Sequence, residues 1–417
     1  MQAPIPPKAP TPAHAEMSQF LVRDGELHVG GLPLRQLAAR VGATPFYAYD
    51  RAVLSQRVAL LRRHLPAALG LHYAMKANPM PALLGFLRPL VDGIDVASAQ
   101  EMKTALDAGA APQHISFAGP GKRPAELRQA VAAGVLLNVE SATELERVAQ
   151  AGIDLGMRPR VALRLNPDFE LKGSAVKMSG GPKPFGIDAE QAPAVLRAMK
   201  DLDLAFEGFH IFAGSQNLNA ESICEAQRKS YQLALQLAEQ ACGEIRSLNL
   251  GGGFGIPYFP GEQPLDLGAI GENLNELCAS AERDFPQARL AIELGRYLVG
   301  EAGLFVTRVV DKKQSRGMDY LVCDGGMNHH LAASGNFGQV LRKNYPVALA
   351  HKMDATERHT VCVVGPLCTP LDILADRVQL PPAECGDLIV VFQSGAYGAS
   401  ASPQAFLSQA ACLEVLV

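Results

Sequence analysis

No apolar run in this sequence approaches the roughly 20 residues that a membrane-spanning helix needs. The N-terminus also lacks the basic-then-apolar layout of a secretory signal, so the expected location is the cytoplasm. No long Lys/Arg block occurs and the formal net charge is -4, which leaves no electrostatic footprint for nucleic acid or an anionic membrane surface. The expected partner is a small molecule. The eight cysteines form no C-x-x-C pair and no Cys/His cluster at zinc spacing. Neither a disulfide framework nor a structural metal is expected, and most of the thiols should be buried small hydrophobes. His72, His114 and the pair His329-His330 have no partners at metal spacing and read as ordinary polar residues.

What is present is a 417-residue chain, 48% hydrophobic and 19% charged, with the composition of a globular protein that buries an extensive interior. That length favours a large barrel with a second domain, or two comparable domains. Residues 1–16 are rich in Pro and Ala, show no periodicity and are expected to form a flexible tail. Residues 17–43 hold FLVRDGELHVGGLPL, two short strands around Asp24-Gly25, a hairpin signal; these early strands are expected to join a later β domain. Across residues 44–296, β-rich runs alternate with stretches full of Ala, Leu, Arg and Glu. Eight runs stand out: LHYAMKAN, GIDVASA, HISFAGP, VLLNVES, RVALRLNP, FEGFHIFAGS, SLNLGGG and RLAIELGR. Eight βα units over about 250 residues have the rhythm of a (β/α)8 barrel, whose chemistry lies on the loops after the strands. Over residues 297–417 the rhythm gives way to segments such as GLFVTRVVDKKQ, DYLVCDGG and GDLIVVFQSG. The expected fold is therefore α/β, a TIM barrel with a second, mostly β domain.

Polar groups and glycines collect at the C-terminal ends of the eight runs: Lys76, Asp95 with Ser98, Gly119, Glu140 with Ser141, Arg164 with Asn166, Gly214 with Ser215, Gly251 to Gly253, and Glu293 to Arg296. Such a bias toward one end is what a barrel active site requires. Gly251-Gly252-Gly253 would let backbone N–H groups approach a phosphate closely, although a tight βα turn uses the same glycines. Lys76 follows an apolar run and would point to the barrel mouth, where desolvation favours Schiff-base chemistry. A plain surface charge is the other reading of a strand-end lysine.

The segments HYAMKANP, DVASAQEM, KMSGGPKPFGI, HIFAGSQ, LNLGGGFGIPY, IELGRYLVGEAG, GPLCTPLD and SGAYG occur in that order from about residue 20 to the C-terminus. Together they resemble the alanine-racemase-like (fold type III) pyridoxal-phosphate (PLP) decarboxylases, such as diaminopimelate and ornithine decarboxylases. The resemblance implies a PLP-dependent carboxy-lyase with Lys76 as the Schiff-base lysine. It implies a phosphate cradle of Gly252, Gly253, Gly295, Arg296 and Ser215, reached also by Tyr397, and a cofactor site that includes Asp95, Arg164, His210 and Phe212. Glu293 matches the carboxylate that pairs with the pyridine nitrogen and keeps the ring an electron sink. Cys368 matches a cysteine that the partner subunit delivers to protonate the carbanion. Asp372 belongs to the same contributed loop, and Arg296 and Tyr397 also face the substrate. A homodimer with shared active sites follows from this arrangement.

The sequence also departs from the family pattern. Diaminopimelate decarboxylases carry G-x-H-x-H-I-G-S-Q, whose second histidine lies over the PLP ring. Here Phe212 holds that position and His210 the earlier one. They carry C-E-S after the cysteine, where this chain has Cys368-Thr369-Pro370, and an R-P-x-x-Y segment, where it has MNHHLAASGNFGQV. Both distal contacts to diaminopimelate are missing. The wording is more similar to decarboxylases of exosortase-associated or carrier-protein systems, which implies an unusual or carrier-tethered amino acid as substrate. Three alternatives stand beside this reading: diaminopimelate decarboxylase proper, an amino-acid racemase, and a non-catalytic protein of the same fold. Retention of Glu293 argues against the racemase, and retention of Lys76, the glycines and Tyr397 against the binding protein.

Overall fold

The computed structural model describes residues 12–417. Eight parallel strands close into a barrel: β1 (Gly70–Ala74), β2 (Gly93–Val96), β3 (Ile115–Phe117), β4 (Leu136–Val139), β5 (Arg160–Asn166), β6 (Ala205–Ile211), β7 (Ser247–Gly252) and β8 (Arg289–Leu294). β8 pairs with β1 and β4 with β5, so no edge is left open. These are the eight runs singled out in the sequence. Each is almost wholly buried, because side chains on one face fill the barrel while those on the other pack under the surrounding helices.

The helices start where polar side chains satisfy their free N–H groups. Ser98 accepts from Glu101 N–H and Ser141 from Glu144 N–H, each at 3.1 Å, an N-cap contribution of about 1 kcal/mol apiece. The two serines that looked like mouth residues in the sequence therefore serve as caps. The strand β8 is followed by the one-turn helix Arg296–Val299 and a 3-10 turn, Gly300–Ala302, rather than by a long helix. The helix Arg51–His64, which precedes the barrel in the chain, packs instead beside Leu267–Asp284, so closely that a Cβ on Gly271 would lie 2.1 Å from the His64 carbonyl.

The second sheet is built around the long strand Gly303–Ser315, which pairs with Leu388–Val391, Met318–Cys323 and Phe46–Tyr49. Here the structure corrects the sequence reading, which assigned residues from 44 onward to the barrel. Phe46–Tyr49 is buried at every position and lies between Gly303–Val306 and Leu413–Leu416. A short, wholly apolar run suits a central strand of either sheet, and only its distant partners decide which. The early strands Val22–Arg23, Glu26–Val29 and Leu32–Pro33 form a three-stranded sheet of their own rather than extending the large one. Two backbone hydrogen bonds, Leu27 to Ala350 and Met353 to Gly25, tie it to the second sheet's loops. Of the expected tail, residues 1–11 lie outside the described residues. Residues 13 and 14 are anchored: the Ala13 carbonyl accepts from Gly261 N–H, and the His14 ring nitrogen lies 2.8 Å from the Asn344 carbonyl. Among the described residues, no helix is long and apolar enough to cross a membrane.

Candidate active site

Lys76 lies in a single 3-10 turn, Met75–Ala77, directly after β1. The turn is pinned from both sides. Tyr73 donates its hydroxyl to the Asn78 carbonyl at 2.7 Å, and Asn78 Nδ2 donates to the Gly395 carbonyl at 3.0 Å. Tyr397, in the left-handed region at φ +55, donates its N–H to the Ala77 carbonyl at 2.7 Å. A non-glycine residue held in that conformation marks a place where the surroundings over-determine the backbone. The strand ends and the second domain thus meet at the lysine, around a narrow cleft. Four larger depressions lie elsewhere on the described surface, lined by neither the lysine nor the glycine-rich turn.

The cleft gathers Lys76, Phe212, Ser215, Gly253, Glu293, Gly295, Arg296 and Tyr397, residues drawn from five separate segments of the sequence. Lys76 Nζ lies 5.1 Å from the Phe212 ring centroid. Gly251 adopts φ +69, and a Cβ there would meet the Ile211 carbonyl at 2.6 Å. Gly252 is opposite Glu293 in the β7–β8 ladder, and its Cβ would fall 2.1 Å from the Glu293 carbonyl. Side chains at these positions would push the strand ends apart.

Glu293 is buried and His210 Nε2 lies 2.7 Å from its Oε2. Burial pushes the carboxyl up, but the hydrogen bond and charge of His210, with Lys76 and Arg164 behind it, outweigh burial and hold Glu293 below the usual carboxylate range. Asp95, Arg164 and His210, also singled out in the sequence, are buried and do not line the cleft. Arg164 donates to Glu140 at 2.8 Å. Glu140 is raised by burial but lowered more by Arg164 and Lys122, so it too stays ionised. Asp95 accepts from Ser116 Oγ and lies 3.2 Å from His72 Nδ1. His72, an ordinary polar residue by sequence, is therefore half of a barrel-interior pair. Burial disfavours its charge, yet Asp95 and Glu293 raise it above the usual histidine range.

Two predicted residues lie elsewhere. Cys368 is exposed and is not on the cleft wall of its own chain. Asp372 is buried, and its two oxygens accept backbone N–H groups of Met327 at 2.6 Å and Leu367 at 2.8 Å. Its carboxylate shapes the Cys368 loop, and within the chain it does not face the cleft. Sequence reasoning missed Tyr258, whose hydroxyl accepts from Arg296 Nη1 at 2.9 Å. Its segment, GGGFGIPY, was read for its glycines, and the tyrosine at its end was given no role.

Residues 51–300 match the family model described as "Pyridoxal-dependent decarboxylase, pyridoxal binding domain". The chain belongs to this family. It is 38% identical over 379 residues to the L-glutamyl-[BtrI acyl-carrier protein] decarboxylase of Niallia circulans, covering 89% of this chain and 88% of that one. It is 33% identical over 386 residues to the diaminopimelate decarboxylase of Aquifex aeolicus, covering 90% and 87%. The crystal structure of diaminopimelate decarboxylase from Helicobacter pylori complexed with L-lysine superposes with a TM-score of 0.81 at 28% identity, covering 92% of this chain and 94% of that one. As a member of the family, the chain is a pyridoxal-dependent amino-acid decarboxylase, and the cleft at Lys76 is where its barrel strands present their polar ends.

Proposed function

We propose that this decarboxylase uses pyridoxal phosphate to remove the α-carboxylate of an amino acid whose distal end is neutral, bulky or attached to a carrier protein. The observation that carries the reading is the Lys76 amine and the Glu293 carboxylate in one small cleft beside a glycine turn.

The residues present fit the cofactor. The side-chain-free backbone of Gly253 and Gly295 lines the cleft, and among the described residues the buried Arg296 Nε has no hydrogen-bond partner. Lys76 would hold the cofactor covalently. The Gly252-Gly253 and Gly295-Arg296 backbone, with Ser215 and Tyr397, would receive its phosphate. Phe212 offers an aromatic face that packs on a ring but carries neither charge nor hydrogen bond. When bound, the cofactor supplies an electron sink for the pair left behind as CO2 departs. Glu293, fixed through Oε2 by His210, would be the carboxylate that pairs with the cofactor's ring nitrogen.

The partner subunit's Cys368 would return a proton to the carbon that has lost its carboxylate, which makes the active unit a homodimer. What supports this is the exposure of Cys368 outside its own cleft, on a loop braced by Asp372. A mixing experiment tests it. Cys368→Ala and Lys76→Ala proteins are each expected to be nearly inactive, and co-refolded mixtures should recover about a quarter of wild-type activity, since half the dimers then carry one intact site. No recovery in mixtures shown to contain heterodimers refutes the shared site.

Thr369 supports the substrate reading. A site that offers a carboxylate to a distal ammonium discriminates strongly for it, because the buried charge otherwise goes unpaired. This chain has a threonine there. Released CO2 measured across a panel of free and carrier-bound amino acids, including meso-diaminopimelate, is expected to show little turnover of diaminopimelate and more of a carrier-bound or distally neutral substrate. If diaminopimelate is best by a wide margin, the substrate reading fails, and Arg342 or Asn328 becomes the next candidate for its far end.

A further inference from the structure

Arg296 enters the cleft from the end of β8, and its guanidinium carbon lies 4.7 Å from the Tyr397 ring centroid and 5.3 Å from that of Tyr258. Nη1 donates to the Tyr258 hydroxyl at 2.9 Å, while the buried Nε has no partner among the described residues. A buried guanidinium N–H without an acceptor costs stability unless a ligand supplies one. Tyr258 is itself fixed. Its ring is buried against Tyr345 at a centroid distance of 4.6 Å, and its backbone N–H donates to Glu262 at 2.8 Å. Tyr345 in turn packs on His330, whose Nε2 lies 2.9 Å from Ser394 Oγ. Burial pushes the Tyr258 phenol up against the opposing pull of Arg296, so the hydroxyl keeps its proton and receives Nη1 on a lone pair.

We propose that Tyr258 is a positioning residue: its hydroxyl locks the rotation of the Arg296 guanidinium so that Nε is aimed at an oxyanion of the bound ligands. The shared chemistry is a carboxylate of the substrate or the phosphate of the cofactor. The proposal rests on the cofactor-dependent reading of this cleft but not on the identity of the substrate. Without the hydroxyl, the guanidinium is still present and still charged, yet it must spend conformational entropy to reach the same geometry.

The test uses Tyr258→Phe, which keeps the ring against Tyr345 and removes the hydroxyl, and with it the acceptor for Arg296 Nη1. Two ligands separate the two oxyanions. Pyridoxal phosphate titrated into the cofactor-free protein reports the phosphate. Aminooxyacetate against O-methylhydroxylamine, two carbonyl reagents that differ in a carboxylate, report on that carboxylate through the cofactor's absorbance in the holoenzyme. Tyr258→Phe is expected to lose roughly tenfold in one of these: cofactor affinity, or the preference for aminooxyacetate over the uncharged reagent. In an Arg296→Gln background the same change should have no further effect, because the group it positions is gone. Both measurements unchanged in Tyr258→Phe, or an equal loss persisting in the Arg296→Gln background, overturns the proposal. If the holoenzyme shows no cofactor absorbance at all, the cofactor reading of the cleft fails first, which distinguishes that failure from this one.

Discussion

Lys76→Ala protein is expected to fold with an unchanged circular dichroism spectrum, to bind pyridoxal phosphate weakly and to release no CO2 above background. Folding should survive because the turn that carries Lys76 is held through other groups: the Tyr73 hydroxyl on the Asn78 carbonyl, Asn78 on Gly395, and the Tyr397 N–H on Ala77. None of these uses the lysine side chain. Activity should not survive, because among the described residues no second amine lines the cleft. The nearest thing to a rival on the barrel is Lys122, after β3. It is committed to Glu144 at 2.5 Å and to the carbonyls of Gly119 and Asn138 at 2.8 and 2.9 Å. Borohydride reduction of the wild-type holoenzyme, followed by peptide mapping, should accordingly place the cofactor's mass on the peptide containing Lys76. Label on any other lysine overturns the assignment of the cleft.

The barrel was legible because its signal is local. Each strand is a short apolar run ending in a polar residue or glycine, and the alternation with helical stretches repeats eight times. The position of Lys76, Glu293 and the glycines at strand ends follows from that alone. Features that depend on distant partners were not legible. Phe46–Tyr49 has the composition of a barrel strand, and its membership in the second sheet is decided by residues 303–306 and 413–416. Ser98 and Ser141 stand beside mouth residues in sequence, but the helix that follows each claims the hydroxyl. Asp372 carried the right residue type in the right loop, and only the path of that loop shows its oxygens spent on Met327 and Leu367. The His72–Asp95 and Arg296–Tyr258 contacts join residues 23 and 38 positions apart, a spacing with no period to betray it.

Glu293→Gln should cost far more in rate than in cofactor retention. The substitution is nearly isosteric, and Gly252, Gly253, Ser215 and Arg296 do not depend on its charge, so the apparent affinity for pyridoxal phosphate is expected to change only a few-fold. His210 Nε2, now 2.7 Å from Oε2, can still meet the amide oxygen, which keeps the side chain in place. What disappears is the negative charge. His210, Lys76 and Arg164 hold Glu293 below the usual carboxylate range against the upward push of burial, so in the wild type the charge is present throughout the neutral range and fades only as pH falls through that lowered value. An amide offers no such charge at any pH, and a pyridine nitrogen beside it is not kept protonated. Each 1.36 kcal/mol lost from transition-state stabilisation is about tenfold in rate. Withdrawing the counter-charge from the electron sink inside a buried site should remove at least two such increments, roughly 100-fold or more in kcat. The readout is single-turnover CO2 release at saturating cofactor and substrate, with cofactor content measured on the same sample. A rate within a few-fold of wild type at full cofactor occupancy would show that the ring nitrogen does not rely on Glu293, and the mechanism built on that carboxylate would fall with it.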